Sequence, residues 1–185
     1  MQAAVDFRAD LLRRGGCRLQ IEGSADVEDR IYDFTLDSCL YCDGSTKVKV
    51  LKPEDLSGIT ANTDGKTGKL HYDEVSVEFG TFEDERLAPI SAPAALINAW
   101  TGGYLSSCGP EDELLLAVYE LGYDSDTITV YTWFDENGTP VRAELAHRGK
   151  VSLRLTFSNF ELLSGGENET TEENLGGRVP GQSGP

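Results

Sequence analysis

The chain has 185 residues, 39% of them apolar, and a formal net charge of −16. That length holds one domain with a real core. The charge excludes nucleic-acid binding through a basic surface, and no apolar run reaches the ~20 residues that a membrane-spanning helix needs. From Ser164 onward four Glu and one Arg contribute −3, so the body keeps −13. Such an excess serves solubility and self-repulsion, or offers an acidic face to a basic partner or cation.

Val5, Phe7, Ala9 and Leu11 alternate, so residues 4–12 are expected as a strand. Met1-Gln2 leads into this pattern without a visible signal peptide. So abrupt a start suggests that the natural beginning lies upstream. Residues 17–23 form a second expected strand, with Leu19 and Ile21 inward and Gly15-Gly16 as the separator. Asp26 to Arg30 is a polar turn, and Ile31 to Tyr41 a longer strand. Asp43-Gly44-Ser45 turns the chain into a half-exposed strand, Lys47 to Leu51. One helical turn at Pro53–Leu56, a short strand at Gly58–Ala61 and a loop at 62–68 follow. Leu70–Tyr72 and Val75–Phe79 continue the strand pattern.

Ser91 to Trp100 is the clearest helix. Ser91 is placed to cap it, Pro93 sits where a missing amide costs nothing, and Gly102-Gly103 ends it. Residues 112–121, DELLLAVYEL, fit either a helix or a buried strand.

Thr127 to Leu162 reads as three strands in a meander. Asn137-Gly138 predicts a type I′ turn, with positive φ at both residues. That turn sets Phe134 against Val141, Thr132 against Ala143 and Val130 against Leu145. On the other face Trp133 meets Arg142 and Tyr131 meets Glu144. A two-residue second turn would oppose apolar to polar residues. A loop of Arg148, Gly149 and Lys150 is therefore expected, pairing Leu145 with Leu153 and Glu144 with Arg154. Pairing should thin at Pro140, which lacks an amide donor. A bulge near Asn159 explains why Phe160 and Leu162 fall out of phase. From Ser164 the composition predicts a disordered acidic, Gly-rich tail over 164–185, leaving 1–163 as a single domain.

Motifs for chemistry are sparse. Gly65-Lys66-Thr67 would close a phosphate loop only if residue 60 were glycine, and it is Thr60. Asn137-Gly138-Thr139 and Asn168-Glu169-Thr170 match the glycosylation sequon, but the first is wanted as a turn. Cys39 and Cys42 form a CxxC, yet positions three apart on a strand point to opposite faces. Cys17 and Cys39 are instead a candidate disulfide between neighbouring strands. No catalytic residue, metal-ligand set or cofactor motif emerges, and no nucleic-acid partner is expected.

The helix face Leu96, Ile97 and Trp100 has two readings: core covering one side of a sheet, or a lid over a greasy cavity. Tyr131, Trp133, Phe134 and Phe157 could line either. Aromatics on both faces of one strand favour a sheet curled around something.

The order of segments resembles the Lol-type lipoprotein-carrier superfamily, LolA/LolB-like, above all its lipoprotein members in spore-forming Gram-positive bacteria, among them a spore-germination lipoprotein. The residues that carry it are Val48 to Ala61 (VKVLKPEDLSGITA), Ser91-Ala92-Pro93 leading to Ala99-Trp100, and Gly103-Tyr104. Trp133-Phe134-Asp135, Pro140, Ala143-Glu144-Leu145, Gly149-Lys150 and Phe157-Ser158-Asn159-Phe160 follow in the meander. The likeness spans roughly residues 5–162. Arg13 to Arg30 and the CxxC depart from it, and no residue here matches the carriers' lid-locking arginine.

The resemblance implies an α+β, mainly β fold: a strongly curved antiparallel sheet, an unclosed half-barrel, with one or two helices as lid or plug. Residues 112–121 would then be strand. It implies no enzymatic activity and no cofactor. It also implies an extracytoplasmic domain, tethered to the outer face of the cytoplasmic membrane by an N-terminal lipid anchor. The expected ligand is a lipid or acyl chain in the concave face. The alternative is a module that grips a protein partner, a cell-envelope or germination enzyme, with its cavity filled by its own side chains.

Overall fold

The structure, a computed structural model, describes residues 2–27, 30–64, 67–73, 75–80, 87–122 and 127–164. The expected tail, apart from Ser164, lies outside the described residues. A helix, α1 (Gln2–Arg14), opens the chain. The strands β1 (Gly16–Val27), β2 (Arg30–Tyr41), β3 (Thr46–Lys52), β4 (Thr60–Thr63), β5 (Thr67–Tyr72) and β6 (Val75–Gly80) follow. A second helix, α2 (Ala92–Gly102), then leads into β7 (Tyr104–Glu111), β8 (Leu114–Leu121), β9 (Ile128–Phe134), β10 (Pro140–His147) and β11 (Lys150–Leu162).

Among the described residues these eleven strands form one sheet, in the order β6-β5-β4-β3-β2-β1-β11-β10-β9-β8-β7. Every neighbouring pair is antiparallel. The sheet is an unclosed, curved half-barrel, as the fold class expected. Its middle pair, β1 and β11, joins the two halves of the chain. Both helices pack on the concave face: α1 lies over β1 and β11, while α2 reaches β2 and β3 on one limb and β8 and β9 on the other.

The opening segment corrects the expected strand at 4–12. Ala4, Phe7 and Leu11 are buried while Val5 and Leu12 are about half exposed. That is one face of a helix, not one face of a strand. Gly15, at φ +84, ends the helix and donates its amide to the Leu11 carbonyl at 3.0 Å.

The meander keeps its expected pairs: Thr132 with Ala143, Val130 with Leu145, Trp133 with Arg142, Tyr131 with Glu144. Leu145 with Leu153 and Glu144 with Arg154 also hold. The turns differ. At the first, only Gly138 has positive φ (+75). Its amide bonds the Asp135 carbonyl at 3.0 Å, and Asp135 N–H bonds the Thr139 carbonyl at 3.0 Å. This is a type I turn closed by a left-handed glycine, not type I′. The Asp135 carboxylate holds it by accepting from the amides of Asn137 and Thr139, each at 2.9 Å. The register then shifts between Pro140 and Arg142, so Phe134 faces Pro140 rather than Val141.

The second turn is the two-residue one that the pattern excluded. Arg148 (φ +51) and Gly149 (φ +77) both lie in the left-handed region, and His147 pairs with Lys150. A register shift between Leu145 and Ala146 restores the apolar face. Near Asn159 (φ +53) the expected irregularity is present: β11 slips against β1 between Arg18 and Gln20.

Further corrections are small. β4 and β5 take up much of the expected 62–68 loop. Of the two readings open for 112–121, strand holds, over Leu114–Leu121. Ser91 belongs to a 3-10 turn, Pro89–Ser91, and makes no side-chain cap bond to α2.

The first turn yields a prediction. Gly138→Ala should cost about 1 kcal/mol in urea unfolding, because alanine must adopt positive φ there. Asn137→Ala should cost clearly less, since Asn137 has an ordinary φ. Equal costs at the two positions would restore the type I′ turn.

Candidate functional site

The site is the concave face and what fills it. Every strand from β1 to β11 sends alternate residues inward. Leu19, Ile21, Leu36, Val130, Leu145 and Leu153 are each no more than 2% exposed. Two helices cover this floor. α1 contributes Phe7 and Leu11; α2 contributes Leu96, Ile97 and Trp100, all three at 0% exposure.

Trp100 lies at the centre. Its ring meets Phe7 edge-on at 5.4 Å between centroids, and Phe157 edge-on at 5.8 Å. Phe7 in turn meets Phe134 at 5.0 Å. The indole N–H donates to Thr132 Oγ1 at 3.0 Å, so its polar atom is satisfied deep in the core. The structure therefore brings Leu96, Ile97, Trp100, Phe134 and Phe157 together inside the trough.

It does not bring Tyr131 and Trp133 there. Both point to the convex face, with ring centroids 6.3 Å apart. The Arg142 guanidinium lies 4.2 Å from the Trp133 ring centre, and the Trp133 N–H donates to Glu111 Oε2. These two candidates are corrected: Trp133 is covered by a cation and a carboxylate, and Tyr131 stacks on the Trp133 ring, neither in a cavity.

Arg8 is the residue that sequence reasoning missed. It projects from α1 onto the C-terminus of α2. Its Nε donates to the Trp100 carbonyl at 2.7 Å, and its Nη2 to the carbonyls of Gly103 (2.7 Å) and Ala99 (3.2 Å). A helix end leaves such carbonyls without intrahelical partners and carries partial negative charge. One guanidinium thus fastens the two helices together. Only a helical reading of residues 2–14 could have placed Arg8, between Ala4 and Leu11, beside a buried face.

Among the described residues, two buried side-chain oxygens have no hydrogen-bond partner: Ser38 Oγ and Tyr119 Oη. Burial pushes the Tyr119 hydroxyl up to about 12; Arg8, 5.4 Å over its ring, pulls the other way, and Cys108 adds to the rise.

The cysteines make no disulfide among the described residues. Cys17 sits opposite Leu40 while Cys39 sits opposite Arg18, so the two point to opposite faces of the sheet and the expected pair is corrected. Burial, then the nearby Cys39 and Cys42, push the Cys17 thiol up. Cys42 is also raised, by burial and then Asp43, and its thiol donates to the Leu11 carbonyl at 3.2 Å. That contact docks the β2–β3 turn on α1. Neither is an activated thiol.

An open curved sheet with helices laid in its trough is the arrangement seen in two solved structures. A LolA superfamily protein from Nitrosomonas europaea is 13% identical, with a TM-score of 0.51 over 87% of this chain and 92% of that one. An outer membrane lipoprotein-sorting protein domain from Vibrio parahaemolyticus is 13% identical, with a TM-score of 0.52 over 90% of this chain and 93% of that one. The fold is LolA-like. No family model matches the sequence, and no curated protein matches it.

The LolA-like trough is thus full of the chain's own side chains, and two substitutions probe that packing. Thr132→Val keeps shape but leaves the Trp100 N–H unpaired, and should cost about 1–3 kcal/mol. A neutral result would show that the indole finds another partner.

Tyr119→Phe should be neutral or mildly stabilising at pH 7, since the hydroxyl it removes is unpartnered. The folded chain holds the Tyr119 proton more tightly than the unfolded chain does. That stability is complete below the ordinary phenol pKa of about 10 and is lost as pH climbs toward about 12. Tyr119→Phe should therefore flatten the alkaline fall in melting temperature, with denaturation followed between those limits. An unchanged slope would locate the alkaline sensitivity elsewhere, as at Tyr41, which burial and Cys39 raise in the same sense.

Proposed function

We propose that this is a non-catalytic, extracytoplasmic domain that takes a hydrophobic group, a lipid or acyl chain, onto the concave face of its sheet. One observation carries the reading: the apolar inner surface is larger than the helices that cover it. A single cross-strand row on that face runs Val48, Ala61, Leu70, Val77. Val48 and Ala61 are buried, Leu70 is half-buried, and Val77 is 53% exposed. Its neighbours Tyr72 and Val75, paired across β5 and β6, are also exposed. An apolar trough that continues past its plug offers a chain-like ligand a place to start.

Deeper binding requires the helices to move. Their fastenings are mostly apolar, which a hydrocarbon replaces at little cost, plus three polar links: the Arg8 fork between the helices, the Trp100 N–H to Thr132 and the Cys42 thiol to the Leu11 carbonyl. Breaking these links is the polar cost of opening. The resemblance of the sequence to lipoprotein carriers and the LolA-like fold both support this reading; a lipid anchor upstream, on the outer face of the cytoplasmic membrane, rests on the resemblance of the sequence.

A second reading has its own support. Leu96, Ile97 and Trp100 are fully buried members of the hydrophobic core. A permanently plugged trough suits a module that grips a protein partner in the cell envelope by its outer surface.

Detergent-free purification, native mass spectrometry and titration with a long-chain fatty acid separate the two. The carrier reading expects saturable binding near one per chain. Arg8→Ala, checked for folding by circular dichroism, should bind more tightly, because the plug is released. No binding by either form would leave the partner-binding module, to be pursued by crosslinking in envelope fractions.

A further inference from the structure

The convex face carries a separate feature. Two neighbouring cross-strand rows there place Arg18 beside Cys39, Lys47 and Asn62, and Asp37 beside Lys49 and Thr60. Together they line a pocket of about 510 Å³, well outside the trough. That volume is the size of a small-molecule site. Leu163, at the end of β11, closes one side of it.

Its charge is opposite to that of the whole chain. Arg18, Lys47 and Lys49 line the pocket with one carboxylate, Asp37, and Glu161 sits opposite Arg18 at its edge, in a protein whose net charge is −16. None of the three cations forms an ion pair with a described residue. Lys69 on β5, outside the pocket, does pair, with Glu78 at 3.4 Å. Lys47 instead lies 5.9 Å from the centre of the Tyr41 ring, on the pocket wall. Holding three cations together with fewer carboxylates, none of them within ion-pair distance, costs energy that an anion would return.

We propose that this pocket binds an anionic phosphate-bearing group. Three cations against two carboxylates, Asp37 in the pocket and Glu161 opposite Arg18, leave a local positive excess that an anionic phosphate would neutralise. Asn62, Thr60 and Tyr41 add neutral donors for its oxygens. The source is either a free phosphorylated solute or the headgroup of an anionic lipid, and the site is independent of any acyl chain in the trough.

The test is backbone amide chemical-shift titration of the full chain with three probes: inorganic phosphate, dihexanoyl phosphatidylglycerol and dihexanoyl phosphatidylcholine. Shifts should gather on β1, β2 and β3 around Arg18, Lys47 and Lys49. The double variant Lys47→Gln/Lys49→Gln, with unchanged melting temperature, should bind at least about tenfold more weakly, and added salt should weaken the parent. Lys69→Gln changes charge outside the pocket and should bind as the parent does. Response to phosphate and phosphatidylglycerol alike supports a free phosphorylated ligand; response to phosphatidylglycerol alone supports the headgroup. The proposal is overturned if no probe binds, if phosphatidylcholine binds equally well, or if Lys69→Gln weakens binding as much as the double variant.

Discussion

An open sheet of eleven strands presents an apolar concave face that it cannot bury against itself, and covering that face is the constraint on which this fold rests. A closed barrel would satisfy its own edges and fill its own interior. Here the chain spends two helices on the task. α2 crosses from one limb of the sheet to the other, and α1 covers the seam where β1 meets β11. Trp100 is the point where these solutions meet, touching Phe7 of α1 and Phe157 of β11 and bonding Thr132 of β9. The first and last strands pair directly, and α1 lies over both along the seam where they meet.

Arg8 shows how a polar group can serve such a core without being sealed inside it. The Trp100 and Gly103 carbonyls at the end of α2 need donors, and α1 supplies one fork that reaches both, along with the Ala99 carbonyl that already accepts from the Gly103 amide. A lysine could not span that set with the same geometry. The arrangement also makes the two helices one unit. Whatever displaces α1 from the trough must leave the end of α2 unsatisfied or hand it to water. The plug is therefore cooperative, although most of its contacts are apolar and individually weak.

Much of this was readable in the sequence, and the misses have physical causes. Thr132, Val130 and Leu145 found their expected partners because alternation along β9, β10 and β11 tolerates only one register. Yet both turns were assigned the other's geometry. Asn137-Gly138 looks like type I′, but the Asp135 carboxylate pins a type I turn, and a side-chain bond of that kind overrides a dipeptide preference. At Arg148-Gly149 the two-residue turn was excluded by parity, which holds only in the absence of a bulge. In α1, Phe7 and Leu11 fit a period of two and a period of 3.6 alike. Ala4 decided between them, and a small residue gives little signal. β7 (YLSSCGPE) has neither alternation nor strong strand formers, and becomes a strand only because β8 offers it an edge, where Pro110 is tolerated. Arg8 was invisible for the same reason as α1: its role exists only once the helix does.

The aromatics of β9 carry the point further. Sequence reasoning saw that both faces of the strand needed cover, and inferred something inside a curl. Phe134 is covered that way. Trp133 is covered from outside by Arg142 and Glu111, the latter reaching across from the edge strand. A large aromatic on the convex face of an acidic protein needs a cation over it, and the outer surface supplies one. The outer charges are placed rather than merely abundant. Arg142 sits over an indole, Arg154 lies 3.6 Å from Glu144, and Lys69 meets Glu78. Arg18, Lys47 and Lys49, none in an ion pair with a described residue, are instead gathered around a single pocket.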